Sequence, residues 1–311
     1  MKTKLPYLCI LAGAALWGSI GIFVRVLSGM GFSSMQLIAV RAYITAAVLV
    51  VFLFVRDRFA RDGKKLLRVR LRDCWCFVGT GILSVVFFNY CYFATISQCS
   101  LSVAAVLLYT APSFVLLLSI LLFKERMSAR KGMALLLAFA GCALVSGLGQ
   151  GELRVSPIGI LTGLGSGLGY ALYSIFAKFA LARYSPITVT AYPFVFASLG
   201  ITPLCAVSQF PALVSAQPAS LPWMIGLGLL CSALPYLLYT SGLSRTEPGK
   251  ASILASVEPV VATLLGILVF GEPLTLPGLL GVAAVFASLV ILSLPSKART
   301  SSPSTGENQR A

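Results

Sequence analysis

The chain has 311 residues, of which 58% are hydrophobic and 11% are charged; it carries a formal net charge of +15 and has no histidine. A water-soluble domain of this length could not bury so much apolar surface in one core, so the composition indicates a polytopic membrane protein. In a soluble chain this positive charge would suggest a nucleic-acid partner. In a membrane protein it indicates contact with anionic lipid headgroups, and we expect a lipid bilayer and no nucleic acid.

Ten apolar runs of about the length that spans a bilayer follow one another along the chain. They cover approximately residues 6–27, 33–55, 74–96, 101–123, 130–148, 156–179, 187–209, 221–243, 250–270 and 276–294. We therefore predict an all-α membrane protein with ten transmembrane helices. The first run follows Lys2 and Lys4 and could be a signal peptide, but it has span length and no convincing cleavage site, so we expect it to be retained.

Basic residues fall in every second connection between the predicted helices. They lie at the N-terminus, across 56–72, across 124–131, at 178–183, at 245–250 and in the C-terminal tail. The connections 97–100 and 210–220 carry none, and Arg25 and Arg154 are the exceptions. The positive-inside rule then predicts a multi-pass protein of the cell (inner) membrane with both termini cytoplasmic. Binding of a cytosolic acidic partner by 56–72 is an alternative.

Two segments 147 residues apart, 104–125 and 251–272, match without a gap. Pro112 matches Pro259 and Glu125 matches Glu272, which carries more weight than matched leucines in apolar sequence. Because each half then holds five helices, an odd number, the halves cross the membrane in opposite senses and form inverted repeats. The predicted domains are a first five-helix repeat at 1–148, a second at 156–295 and a disordered cytoplasmic tail at 296–311.

Pro112 and Pro259 interrupt the fourth and ninth helices at matched positions. Each proline removes a backbone donor, so we predict a helix break that leaves carbonyl groups free. Paired breaks in two halves are a pointer to a binding site in carriers. A kink without ligand contact is the alternative.

Glu258 is the one carboxylate well inside a predicted span, and Arg41 is the one basic residue deep in a span. A charge within the membrane costs several kcal/mol unless it is paired. We therefore predict an intramembrane ion pair between Arg41 and Glu258 that faces a central cavity. Two roles stay open: a purely structural pair, or one in which Glu258 contacts substrate or carries a proton.

Aromatic and amide side chains at mid-span predict a substrate pocket. Together with Glu258, its candidates are Trp17, Asn89, Tyr109, Tyr170, Tyr173 and Tyr236. Further candidates are Tyr90, Tyr92 and Tyr239. Tyrosine suits substrates with an aromatic or cationic group. Since the chain has no histidine and no cluster of metal ligands, we predict no metal site and no cofactor.

Small residues recur every four positions in the sixth helix, at Gly159, Gly163, Gly167 and Ala171. Such a stripe lets another helix approach closely, and we expect it to pack within the bundle. A homodimer face is the alternative.

The motifs together resemble the drug/metabolite transporter superfamily of the EamA type, over about residues 7–294. They are Trp17-Gly18, Arg41, the Ala…Pro…Phe-x-Glu pattern of helices four and nine, and Glu258-Pro259. The resemblance implies a ten-helix secondary carrier that moves a small metabolite, often outward, through a cavity between its halves.

We therefore expect a secondary transporter, an exporter of a small metabolite such as an amino acid, amine or aromatic compound, that works by alternating access. An integral-membrane enzyme, such as a lipid-modifying transferase, is the alternative, but it would need a catalytic base and clustered carboxylates or histidines near one interface. A channel would need a ring of like charges or a filter motif.

Overall fold

The computed structural model describes residues 4–60, 65–148, 154–273 and 275–294, and these residues form a bundle of α-helices without a β-strand. The ten main helical segments are α1 (Leu5–Gly29), α2 (Ser34–Phe59), α3 (Leu71–Gln98), α4 (Leu101–Phe123), α5 (Ala129–Val145), α6 (Pro157–Leu181), α7 (Pro186–Leu204), α8 (Ser220–Leu243), α9 (Pro248–Phe270) and α10 (Leu276–Ser293). A short helix, Phe210–Ala216, precedes α8. The predicted tail at 296–311 lies outside the described residues.

Eight of these helices, all but α5 and α10, are long and apolar enough to cross a membrane. They have 19 to 28 residues and a mean hydropathy of 1.3 to 2.4. The predicted all-α class is therefore confirmed. Helix α5 has only 17 residues, and the apolar stretch of α10 is Leu276–Leu292, so the number of ten crossings stays a prediction.

Serine and threonine caps explain where several helices begin. Ser33 forms a capping box at the start of α2: its Oγ accepts from the Gln36 amide at 3.3 Å, and its own amide donates to Gln36 Oε1 at 2.9 Å. Ser185 caps α7, the second helix of the other half, through the Thr188 amide. The two halves thus start their second helix with the same device.

Helices α4 and α9 are interrupted at matched positions. Helix α4 breaks between Leu101–Leu108 and Ala111–Phe123, and α9 breaks between Pro248–Ala255 and Glu258–Phe270. Each second segment carries its proline in the first turn, where the missing N–H costs no helical hydrogen bond. Both segments also end on a residue in the left-handed region, Lys124 with φ of 54° and Gly271 with φ of 67°.

Three more helices depart from regular α geometry. Helices α3 and α8 contain π-helical turns at Gly79–Val86 and Leu229–Ala233. Helix α1 is broken at Ser19, whose hydroxyl donates back to the Leu16 carbonyl at 2.7 Å. Such irregular backbone within membrane helices is typical of sites where side chains or ligands meet.

The closest helix pairs have a counterpart when each helix is exchanged with the one five places along the chain. Helix α1 packs on α8 and α9, while α6 packs on α3 and α4; the remaining pairs include α2 with α7, α4 with α9 and α5 with α10. Glycine at position 141 lets α5 and α10 approach closely. A Cβ at this position would lie only 2.8 Å from the Gly281 carbonyl oxygen.

The small-residue stripe of α6 packs inside the chain. Gly159 faces Cys99, Gly163 faces Leu107, and a Cβ on Gly167 would lie 2.9 Å from the Leu107 carbonyl oxygen. The stripe therefore lets α6 approach α4 and the end of α3. A homodimer stays a prediction.

The basic connection between α2 and α3 folds back on the protein. Asp57 accepts from the backbone amides of Leu66 and Leu67 at 2.9 and 2.7 Å, and the Tyr192 hydroxyl donates to the Leu67 carbonyl at 2.6 Å. The basic segment 56–72 is therefore anchored to α7 at Leu67. Residues 61–64 of this segment lie outside the described ranges.

Candidate functional site

Trp17 lies at the centre of an aromatic cluster, which we call the aromatic cage. Its ring centroid is 4.8 Å from that of Tyr236, 5.3 Å from that of Tyr239 and 6.4 Å from that of Tyr170. Tyr173 extends the cage, 4.9 Å from Tyr236. Edge-on and tilted ring contacts of this kind add stabilisation beyond the area they bury.

Gly18 explains why Trp17 reaches this position. A Cβ on Gly18 would lie 2.7 Å from the carbonyl oxygen of Glu258 and 2.8 Å from the Val261 side chain. Glycine therefore lets the end of the first α1 segment approach the break of α9. The Trp17-Gly18 pair joins the aromatic cage to the one helix break that carries a carboxylate.

The cage encloses a narrow cavity between the two halves of the chain. Its lining comes from α1, α3, α6 and α8: Trp17, Ser84, Phe88, Tyr170, Tyr173, Ser174, Tyr236 and Tyr239. The free space is about 10 Å³, of the order of one water molecule. The cavity is closed in this conformation, and the helices must separate before it can admit a metabolite.

Most polar groups of the cage are satisfied, but one is not. The Tyr173 hydroxyl lies 2.8 Å from Thr240 Oγ1, and the Tyr239 hydroxyl lies 2.7 Å from Ser174 Oγ. Trp17 Nε1 is buried without a hydrogen-bond partner. A buried donor without an acceptor is costly, so this indole nitrogen is available to a ligand atom.

Glu258 adjoins the cage through Tyr170. The Tyr170 hydroxyl donates to Glu258 Oε2 at 3.0 Å, and Tyr92 and Tyr109 lie within electrostatic reach of the carboxylate. Glu258 begins the second segment of α9, where the exposed N–H groups of a helix favour a negative charge. The break in α9 therefore stabilises the Glu258 carboxylate within an apolar helix.

Arg41 of α2 approaches the cage beside Tyr236. Its Nη2 donates to the Cys231 carbonyl in the π-helical turn of α8, at a long 3.5 Å, and its Nε is buried without a partner. The Arg41 charge acts on Glu258, yet within the described ranges no ion pair joins the two groups within 4.0 Å. This conformation therefore has no direct Arg41–Glu258 ion pair, and pairing of the two groups in another state stays a prediction.

Three predicted pocket residues, Asn89, Tyr109 and Glu258, do not line the cavity; Glu258 contacts it through Tyr170. Asn89 is buried, but its Nδ2 donates to the Val85 carbonyl of its own helix at 2.6 Å. Tyr109 packs against Cys142 and Val260. Pro112 and Pro259 do not line the cavity either, although the helix breaks lie immediately before both prolines. Of the further candidates, Tyr239 lines it and Tyr90 is 56% exposed.

Three lining residues escaped sequence reasoning: Ser84, Phe88 and Ser174. A usable signal exists for Ser174, which lies four residues after Tyr170 in a regular α-helix, because residues at this spacing share a helix face. Ser84 and Phe88 carry no such signal, because the π-helical turn Gly79–Val86 changes the helical phase and both residue types are common in packed helices.

The matched glutamates Glu125 and Glu272 differ in their surroundings. Glu125 is buried at the end of α4, where its carboxylate accepts from Lys131 Nζ at 2.8 Å and from the Gly249 amide at 3.1 Å. Lys131 also bonds Glu247 at 2.7 Å. This cluster, the Glu125 latch, ties the end of α4 to the start of α9.

Glu272 forms a half-exposed ion pair instead. Arg25 Nη2 donates to its Oε1 at 2.8 Å, and the Arg25 guanidinium lies 3.8 Å from the centroid of the Phe270 ring. A cleft with about 290 Å³ of free space, lined by α1, Leu101 and α9, lies beside the pair. The two matched ends thus differ in their ion pairs, and a cleft lies beside each of them, about 290 Å³ beside Glu272 and about 490 Å³ beside Lys131 and Glu247.

Comparison with known proteins identifies the family. Residues 4–147 and 157–294 each match the sequence profile of the EamA-like transporter family, and the chain belongs to this family. It is 31% identical to an uncharacterized transporter of Archaeoglobus fulgidus, over 91% of this chain and 94% of that one. It is 30% identical to the threonine/homoserine exporter RhtA of Escherichia coli K12, over 64% of this chain and 65% of that one.

A solved crystal structure shares the fold. It superposes with a TM-score of 0.76 at 19% identity and covers 93% of this chain and 96% of the other. Its family membership and its apolar helices make the protein a multi-pass membrane transporter. The prediction of a transporter rather than an enzyme is confirmed, because the family and these relatives are named as transporters.

Proposed function

We propose that this protein is a secondary carrier of the cell (inner) membrane that exports a small metabolite, an amino acid, amine or aromatic compound, by alternating access. The aromatic cage carries the proposal. It is contributed by two helices from each half, and a carboxylate and a guanidinium adjoin it. Aromatic rings with a few placed polar groups suit an amphipathic small molecule. The name of RhtA, an exporter of threonine and homoserine, supports outward transport of amino acids.

The proposed architecture is ten spans in two inverted repeats, 1–148 and 156–295, with both termini cytoplasmic. Three matched features support it: the π-helical turns in α3 and α8, the breaks in α4 and α9, and close helix pairs that have a counterpart in the other half. The alternation of basic connections supports the orientation. Inverted repeats allow each half to do at one membrane face what its partner does at the other.

Alternating access then uses the two matched ends. In the proposed orientation the Glu125 latch joins α4 to α9 at the cytoplasmic end, and the cleft beside Glu272 lies at the external end. At the repeat offset of 147, the position that matches Gly249 is Ser102. In the inward-facing state, accordingly, the Ser102 backbone amide donates to Glu272, and Glu125 has lost its hydrogen bond from the Gly249 amide.

Within this carrier, the binding residues are Trp17, Tyr170, Tyr173, Tyr236 and Glu258. Asn89 supports the site from within α3, and Tyr109 supports the Glu258 side of it. Pro112 and Pro259 set the helix breaks on which the two halves bend.

The test is untargeted metabolomics of the growth medium, comparing a deletion strain with strains that produce wild-type protein or a variant. Wild-type protein should raise the external level of one or a few amino acids, amines or aromatic compounds. Trp17→Phe should abolish most of the rise, because the ring contacts and the unpaired Nε1 are lost. Trp75→Phe is the matched control, since Trp75 is 50% exposed and lies outside the cavity. No change with wild-type protein, or equal loss in both variants at equal abundance, would refute the proposal.

A further inference from the structure

The first helix of each half carries one basic residue, which follows an aromatic residue of the cavity lining by eight positions. In α1 Arg25 follows Trp17 at this distance, and in α6 Lys178 follows Tyr170. Arg25 lies four residues before the end of α1, and Lys178 lies three residues before the end of α6. The two cations therefore occupy equivalent positions in the two repeats, each at the helix end beyond the cage.

These two cations have different partners in this conformation. Arg25 Nη2 donates to Glu272 Oε1, just beyond the end of α9, at 2.8 Å. Lys178 Nζ donates instead to two carbonyls where α8 turns into α9, that of Leu243 at 2.9 Å and that of Thr246 at 2.7 Å. Within the described ranges no carboxylate lies within 4.0 Å of Lys178. This half-buried ammonium thus has neutral acceptors, which compensate its lost hydration less well than an opposite charge does.

Glu125 is the carboxylate that the repeat assigns to Lys178. It matches Glu272 at the offset of 147, and α6 packs on α4 as α1 packs on α9. The Glu125 charge acts on Lys178, although its oxygens are held by Lys131 and by the Gly249 amide. An ion pair that is formed in one half is therefore unformed in the other, although both of its members are present.

The carbonyl acceptors of Lys178 also have counterparts in the first half. At the offset of 147 they match the carbonyls of Ile96 and Cys99, where α3 turns into α4. Arg25 shares its cleft with Leu101, the first residue of α4. Each cation thus lies between two kinds of acceptor: a carboxylate at the end of one neighbouring helix and backbone carbonyls at a helix connection.

We propose, resting on the carrier function above, that Arg25 and Lys178 are paired gate cations that exchange partners during transport. In this conformation Arg25 binds Glu272, and Lys178 binds the α8–α9 connection. In the inward-facing state Lys178 binds Glu125, and Arg25 binds the α3–α4 connection. Because neither cation lines the cavity, both are positioning residues, and each stabilises one state by an ion pair that the other state lacks.

The test measures from which membrane face the cage is reached. The probe is Ser84→Cys in a background without other cysteines, because Ser84 lines the cavity, is 2% exposed and lies on α3, which carries neither gate cation. An impermeant maleimide is applied to right-side-out and inside-out vesicles. Arg25→Met removes the pair with Glu272, so cytoplasmic labelling should rise and external labelling should fall, each by about two- to fivefold, as for a half-exposed ion pair. Lys178→Met removes the pair with Glu125 and should shift both rates in the opposite direction.

The sign of the Lys178→Met effect separates this exchange from a structural role. If Lys178 only fastened the α8–α9 connection, its loss would destabilise this conformation and raise cytoplasmic labelling, which would overturn the inference. Lys178→Arg keeps the charge and should give the labelling rates of the parent protein. Lys250→Met is the control, since Lys250 is a half-buried lysine of α9 that bonds the Tyr7 hydroxyl, and it should change neither rate.

The failures are distinguishable. Shifts in the same direction by Arg25→Met and Lys178→Met, or no shift by either, with a probe that is reached from both faces, would overturn the exchange and leave the carrier function. A probe that is reached from one face only in the parent protein would overturn both. Where Lys178→Met does not fold, Lys178→Gln keeps donors for the two carbonyls and should shift labelling in the direction given for Lys178→Met.

Discussion

Gly18 shows how one residue sets the geometry of the site. It allows α1 to contact the Glu258 carbonyl, and it thereby positions Trp17 beside the charged end of the cage. Gly21, one turn further along α1, has no heavy atom within 4 Å of the position a Cβ would occupy. The two glycines therefore form a matched pair for one substitution.

We expect Gly18→Ala to destabilise the protein by about 1–3 kcal/mol and to reduce transport, because the added methyl group meets backbone at 2.7 Å. Gly21→Ala should be neutral or stabilising by up to about 1 kcal/mol, since alanine favours a helix. Thermal unfolding in detergent and uptake in proteoliposomes measure the two effects. Equal behaviour of the two variants would contradict the close approach of α1 and α9.

Trp17, Tyr170, Tyr173 and Tyr236 could be predicted from residue type alone, because large polar aromatic residues at mid-span are conspicuous in the sequence. Residue type did not give the orientation of Asn89. The π-helical turn before it shifts the helical phase, so counting in steps of three or four residues from one side of the turn to the other fails. The absence of a direct Arg41–Glu258 contact also depends on three-dimensional distance, which charge sign does not encode.

At the scale of elements, the breaks in α4 and α9 follow from proline and were expected, whereas the break of α1 at Ser19 was not. There is no proline at this position. The Ser19 hydroxyl donates to the Leu16 carbonyl, and the neighbouring Gly18 packs against α9. The π-helical turns of α3 and α8 likewise have no residue signature. Their matched positions in the two halves appear only in the structure.

The Glu125 latch predicts a shift between states. Glu125→Gln keeps the shape of the side chain but weakens its bond to Lys131, so this end, which is cytoplasmic in the proposed orientation, should open more often. A Ser252→Cys probe in a background without other cysteines reports this, because Ser252 is 6% exposed near Gly249. A membrane-impermeant maleimide on the cytoplasmic side should label the probe several-fold faster in the Glu125→Gln background. The matched Glu272→Gln should not accelerate it, and acceleration by both would contradict an end-specific latch.

For the whole molecule, the 147-residue register and the charge alternation predicted an all-α membrane transporter built from two related halves. The membrane class, the helical fold and the family follow from composition and from a few motifs, since apolar length and positive charge are one-dimensional properties. The closed cavity does not follow, because it depends on how α1, α3, α6 and α8 meet. Free space of about 10 Å³ results from ring packing that no single helix encodes.

The central claim is that the cage is reached from one membrane face at a time. Ser174→Cys, in a background without other cysteines, tests it most directly, because Ser174 lines the cavity and is 4% exposed. An impermeant maleimide applied to right-side-out or inside-out vesicles should label this site from both faces, and Glu125→Gln should increase cytoplasmic labelling while decreasing external labelling. Labelling from only one face, or a rise from both faces together, would contradict alternating access around the cage.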